Sequence, residues 1–326
     1  MLVVLLLLCV FSAVAGHGTE FDEQGDAHLN HKFRILHDVS QNEGLIAFNV
    51  SESHRRLAND YWDILKNHVT KDRLDQVIEA SKGYSSAKPF PHMSAMDIFP
   101  KEVLDAANLE IPDNPPPAKK SGCVKGGKCY NSKLEKAKNA FHTENQFGPA
   151  TRALFTFMQS PVFTKFLERL SGIPELIPDG SYRGAGIHQT LSGGFLNVHA
   201  DFNLDKVRSL HRRVNVFIYL NPDWKEDYGG HLELWSRDLK RCEARISPDL
   251  GKLVVFSSTD FSYHGHQSPL TCPEDRSRRS LAMYYYTKTR PSSECINNNC
   301  LDVYHTTLFQ KTVCPDCNNK CFTGTV

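Results

Sequence analysis

Three short segments in the second half of the chain, dense in β-branched and aromatic residues, constrain the fold most. They are Arg213–Leu220 (RVNVFIYL), Lys252–Ser257 (KLVVFS) and Ser280–Thr287 (SLAMYYYT). Each has the length and composition of a strand. Turn residues separate them, among them Asn221-Pro222 and Gly229-Gly230. Short strands after a helical half imply a barrel or sandwich buttressed by helices.

The first half reads differently. Residues 17–87 are polar, with Leu57, Tyr61, Ile64 and Leu65, then Leu74, Val77 and Ile78, at helical spacing. They are expected to form a helical extension. Lys88-Pro89-Phe90-Pro91-His92 punctuates the chain and marks the start of a new unit. Asn114-Pro115-Pro116-Pro117 opens a loop that runs to Lys128. Helical spacing returns over Lys133–Phe141 and Ala150–Leu170, the latter broken at Ser160-Pro161. There is no internal repeat.

The chain opens on an apolar run, Leu2–Phe11, followed by Ser12-Ala13-Val14-Ala15-Gly16. Small residues at alternate positions after such a run predict a secretory signal over 1–16. The run is too short to span a bilayer, and no other stretch is apolar enough, so no membrane span is expected in the mature chain. The expected location is outside the cell or the lumen of the endoplasmic reticulum; the last residues, Phe322–Val326, are not a Lys-Asp-Glu-Leu-type retention signal. Beyond Cys9, nine cysteines remain, and Cys295, Cys300, Cys314, Cys317 and Cys321 crowd a tail over 292–326. In an oxidising compartment this predicts disulfides. Cys314-Pro-Asp-Cys317 also has zinc-knuckle spacing. Asn49-Val50-Ser51 is a glycosylation sequon, with Asn49 the acceptor. A net charge of +1 argues against nucleic-acid partners and a polybasic membrane patch.

Chemistry concentrates in Asn197-Val198-His199-Ala200-Asp201. On a strand, residues two apart share a face, so His199 and Asp201 can reach one metal. An imidazole and a carboxylate are two of the three ligands of a 2-His-1-carboxylate site, which suits Fe(II) and leaves positions open for small molecules. Alone, His-x-Asp is weak in a chain with 15 His. The third ligand would come from Tyr263-His264-Gly265-His266, where His264 and His266 compete; the other would be a supporting or substrate-side group. Counting by twos puts Arg279, Leu281, Met283 and Tyr285 on one face. A buried guanidinium there would need a carboxylate partner. Asn215, Phe217 and Tyr219 likewise share a face, and Tyr219 could donate to the same carboxylate. A core tyrosine is the alternative reading.

With these stretches in view, residues 88–291 resemble the 2-oxoglutarate/Fe(II) oxygenases of the prolyl 4-hydroxylase class, closest to a bacterial-type branch of proline-hydroxylase-like proteins. The likeness rests on KPFPH, QFGPATRA, GGFLNVHADFN, RRVNVFIYLNPDWKEDYGGHLELW, YHGHQSPLTCP and RRSLAMYYYT. It implies an α+β fold with a double-stranded β-helix, or jelly roll, and supporting helices. It implies Fe(II) on His199, Asp201 and His264, and 2-oxoglutarate held by Arg279, with Tyr219 and Asn215 lining that pocket. His266 and Tyr285 are then supporting or substrate-side groups. Ascorbate is the expected reductant, O₂ the second co-substrate, and a prolyl residue of a protein or peptide the expected substrate. Gln267 stands where relatives carry proline. The segment before residue 88 does not resemble the peptide-binding helical domain of collagen prolyl hydroxylases, and the Cys-rich tail lies outside the likeness.

Two other classes fit less well. A silent secreted jelly-roll binding module would have no need of three metal ligands and an anchor. A zinc-bound hydrolase of cupin type would have no need of the oxoglutarate pocket. Within the oxygenases, a free amino acid, a lipid or a sugar remains an alternative substrate, because fold does not decide substrate.

Overall fold

The computed structural model describes residues 51–114, 122–300 and 304–312. The leader, Asn49, and Cys314, Cys317 and Cys321 lie outside the described residues.

Among the described residues, five α-helices lie before the long strands. α1 (Glu52–His68) begins where the Ser51 hydroxyl accepts the His54 N–H, and α2 (Lys71–Ala80) where Thr70 accepts from Arg73. α3 spans Lys101–Glu110. α4 (Pro149–Met158) has no side-chain cap of its own. Instead the Glu110 carboxylate accepts the N–H groups of Ala150 and Thr151 at 2.7 and 2.8 Å, an anion where the helix dipole favours one. α5 (Pro161–Ser171) starts from a Ser160 cap with Pro161 in its first turn, and ends at Gly172 in the left-handed conformation. The break at Ser160-Pro161 is therefore a helix boundary.

The strands, in chain order, are β1 (His92–Ala95), β2 (Lys128–Tyr130), β3 (Glu135–Phe141), β4 (Ile177–Pro178), β5 (Gly186–Ala200), β6 (Leu204–Asp205) and β7 (Leu210–Tyr219). They continue with β8 (Leu232–Trp235), β9 (Cys242–Ile246), β10 (Leu253–Ser257), β11 (His264–His266), β12 (Ser277–Thr287) and β13 (Leu308–Phe309). The main path runs β1-β10-β7-β12-β5-β11-β8-β9, antiparallel throughout. This is the antiparallel, nearly closed double-stranded β-helix, buttressed by helices.

The expected helix over Lys133–Phe141 is a strand. β3 pairs with β2 on one side and with β5 on the other, Asn139 opposite Gln189. Two ladders outweigh the weak helical spacing of a short segment.

β5 organises the site. Its first half pairs with β12 and β3, its second with β11 and β13. Its pairing with β3 is irregular around Gly193-Gly194, and at Gly194 a side chain could not be accommodated: a Cβ there would meet the carbonyl oxygens of Lys136 and Leu191 at 2.7 and 2.8 Å.

Two large apolar clusters hold the molecule together. One lies between helices and sheet and joins Leu65, Val69 and Leu74 of the N-terminal helices to Phe157, Phe166, Leu281, Met283 and Tyr285. Trp62 adds a ring contact to Phe157 at 6.0 Å, and the buried Tyr84 hydroxyl bonds Ser257 at 3.0 Å. The punctuation at residue 88 is thus no break in the core. Leu57 departs from the helical stripe and is exposed. The second cluster fills the barrel, with Phe90, Tyr219, Leu234, Val254 and Phe256.

Disulfides join Cys123 to Cys129 and Cys295 to Cys300, while Cys272 is a buried free thiol. No helix among the described residues is long and apolar enough to cross a membrane.

Candidate metal and co-substrate site

His199 and Asp201 sit at the end of β5, and His264 opens β11 directly opposite, in register with His199. One ligand atom from each lies within 4.8 Å of the others. The Nε2 atoms of His199 and His264 stand 3.6 and 3.4 Å from the two Asp201 oxygens. Ligands bound at about 2.1 Å and at right angles lie about 3 Å apart, so this spacing suits a single ion.

Both imidazoles are aimed by their other nitrogen. His199 Nδ1 contacts the Asn197 carbonyl and His264 Nδ1 the Ser262 carbonyl, each at 2.9 Å. A donor at Nδ1 leaves the Nε2 lone pair for a metal. Burial pushes the His264 pKa down to about 4, against the Asp201 charge that raises it. The ring is thus a neutral ligand near pH 7.

Asp201 is held by two groups that sequence reasoning did not pair with it. Arg212 Nη2 and Asn215 Nδ2 donate to its Oδ2 at 2.8 and 2.7 Å. Burial alone would raise this carboxyl, but Arg212 and the two histidines hold it well below the usual carboxylate range. Arg212 is itself buried, bonded to Asn215 and stacked 3.3 Å from the Tyr284 ring. Asn215 is thus placed to position a metal-site carboxylate. Arg212 and Asn215, three residues apart, come together where the β7–β12 register shifts at Tyr285/Tyr286. That bulge hides Arg212 from a count by twos.

The predicted anchor, Arg279, does not enter the barrel. Its guanidinium donates to Asn108 and to Ser277, on the outer side. Arg278 enters instead. Its Nη2 donates to the Tyr219 hydroxyl at 3.0 Å and its Nε to the Gly230 carbonyl at 2.5 Å. The apolar partners Leu281, Met283 and Tyr285 carried the missed signal. They mark the Arg279 face as the one packed on helices. Tyr285 confirms this orientation, donating to the Met158 carbonyl of α4 away from the metal site.

His266 is buried on the inner side, two residues beyond His264. Burial, then Arg278 and Lys138, push its pKa well below the ordinary value. Phe256 packs on the His264 ring at 4.8 Å and Phe309 of β13 on His199 at 5.5 Å, so both ligands sit against aromatic walls. Phe309 belongs to the tail, which sequence reasoning left without a role.

Residues 185–286 match the family model of the 2OG-Fe(II) oxygenase superfamily. This segment is a 2OG-Fe(II) oxygenase domain. All three metal-site residues and Arg278 fall inside it. The chain is also similar to the prolyl 3-hydroxylase OGFOD1 of Mus musculus, 34% identical over 86 residues, which is 24% of this chain. The match spans only 15% of the length of that curated relative. Similar solved structures include a Pseudomonas putida prolyl-4-hydroxylase, at 18% identity and a TM-score of 0.44, covering 66% of this chain and all of that one. A Trichoplax adhaerens prolyl hydroxylase, solved with a hypoxia inducible factor peptide fragment, gives 16% and 0.45 over 65% and 91% of the two chains.

Proposed function

We propose that this chain is an Fe(II)- and 2-oxoglutarate-dependent dioxygenase that hydroxylates a prolyl residue of a protein or peptide. The observation that carries the reading is the placement of three convergent ligands and a buried arginine–tyrosine pair inside one barrel. Bound Fe(II) would supply oxygen activation coupled to conversion of 2-oxoglutarate to succinate and CO₂, with one oxygen atom going to the substrate.

The protein's own part is positioning and electrostatics. His199, Asp201 and His264 would hold the metal on one side and leave the other open. Arg212 and Asn215 keep Asp201 ionised and fixed. Arg278, in place of Arg279, would take the distal carboxylate of 2-oxoglutarate. Tyr219 accepts from Arg278, so its own proton is free to be donated to the same carboxylate. Phe256 and Phe309 keep water from the ligand rings.

The prolyl substrate is supported by the likeness to a prolyl 3-hydroxylase. Ascorbate would serve as the reductant that returns oxidised iron to Fe(II). Residence in the secretory pathway is supported by the apolar leader and by the disulfides Cys123–Cys129 and Cys295–Cys300.

An anaerobic titration with Fe(II) and then 2-oxoglutarate tests the cofactor site through the visible charge-transfer band of the chelate. The band is expected in the wild type and absent in His199→Ala. A folded wild type that gives no band would defeat the oxygenase reading. Proline-rich peptides compared with free proline, read by mass gain of one oxygen, then test the substrate class.

A further inference from the structure

We infer that His266 is a direct contact for the distal carboxylate of the oxo-acid co-substrate, beside Arg278 and Tyr219. The inference rests on the oxygenase reading above and adds to it a third side chain of this barrel.

Three observations carry it. First, His266 is 4% exposed, yet neither ring nitrogen makes a hydrogen bond among the described residues, and Nδ1 is wholly enclosed. A buried imidazole with no partner costs free energy, so its retention calls for a ligand. Second, the register places it between the metal ligands and Arg278 along β5. His264 stands opposite His199 of β5 and His266 opposite Leu196, while Arg278 stands opposite Thr190 of the same strand. Moving from His264 to His266 is moving from the metal toward the anchor. Third, the groups whose charge reaches it are Arg278, Lys138 and His199, with no carboxylate among them. Lys138 is already paired with Glu135 at 3.2 Å. What this corner lacks is an anion. A carboxylate seated against Arg278 would accept an imidazole N–H.

The geometry also suggests selectivity. An oxo acid without a distal carboxylate would leave the Arg278 charge, the Tyr219 hydroxyl and His266 unmatched together. A buried polar set of this kind discriminates strongly against an analogue that lacks the matching group.

The test uses the full chain, loaded anaerobically with Fe(II), and compares 2-oxoglutarate with 2-oxovalerate, which carries a methyl in place of the distal carboxylate. His266→Phe is expected to weaken 2-oxoglutarate binding by about tenfold or more. Iron stoichiometry and 2-oxovalerate binding should stay unchanged, and His266→Gln should recover most of the lost affinity. Equal 2-oxoglutarate affinity in the wild type and a folded His266→Phe variant would overturn the inference. So would an equal loss for both oxo acids, which would place His266 at the metal end. If wild-type protein binds iron but no 2-oxoglutarate, the co-substrate reading itself fails and takes His266 with it. A second measurement does not depend on a variant folding. In the Zn(II)-loaded wild type, the His266 ring ¹⁵N resonances should shift on adding 2-oxoglutarate and not on adding 2-oxovalerate; unmoved resonances with bound 2-oxoglutarate would refute the contact.

Discussion

Arg278 donates to the hydroxyl of Tyr219 at 3.0 Å inside the barrel, while its neighbour Arg279 turns outward to Asn108. One residue of parity separates the proposed anchor from a surface-side strut. Arg278→Ala should therefore weaken 2-oxoglutarate binding by about a hundredfold, the scale for losing a buried charge pair. Arg279→Ala should leave it within about twofold. Anaerobic titration of both variants separates them, and the reverse ranking would defeat the assignment.

The contact of Arg212 with Asp201 predicts an effect on metal affinity without removal of a ligand. Arg212→Leu should loosen Fe(II) binding by about 10- to 100-fold, as for other groups that orient metal ligands. Competition against a chelator measures this. Unaltered affinity would mean that Asp201 is held by Asn215 alone.

Asp260 predicts a pH dependence of stability. It is fully buried and bonds Arg290 at 3.0 Å and the Ile296 N–H at 2.8 Å, and pairs with His305 at 3.0 Å. Burial would raise its pKa, but His305, the Ile296 N–H and Arg290 together depress it. A depressed carboxyl contributes stability that is present above its unfolded pKa of about 3.9 and is lost as pH falls through the lower folded value. Asp260→Asn should cost about 3 kcal/mol near neutrality. In urea titrations the gap to wild type should begin to close below about pH 4. A gap that stays constant down to pH 2 would contradict this account.

Gly194 predicts a steric cost. A methyl there meets two backbone carbonyls, which cannot move aside as a side chain could. Gly194→Ala should destabilise by about 1–3 kcal/mol, read as a lowered thermal midpoint. A variant as stable as wild type would mean that the packing around Gly194 is looser than described.

Much of the architecture was legible from the chain because it rests on strong local patterns. RVNVFIYL, KLVVFS and SLAMYYYT lie in β7, β10 and β12, and helix appears where Leu74, Val77 and Ile78 recur. β3 was misread because its seven residues carry little period of their own and are settled by pairing with β5. At the site, His199 and Asp201 were accessible as a strand pair, since the period-2 rule holds between them. Arg278 and Arg212 were not. For adjacent arginines, the choice depends on which face the helices cover. For Arg212, it depends on a bulge that no alternation rule foresees. His266 was visible only as a rival of His264, and the register of β11 against β5 distinguishes the two.

The β13 pairing has a consequence for how the protein comes into being. Leu308 and Phe309 bond along β5 opposite Ala200 and His199, and the Gln310 N–H donates to the Val198 carbonyl. Synthesis runs from the N-terminus, so His199, Asp201 and His264 all leave the ribosome before this segment does. On the nascent chain, the edge of the metal-bearing strand stays unpaired and His199 lacks its aromatic cover until residues 304–312 arrive. The iron site is thus among the last parts of the molecule to be finished.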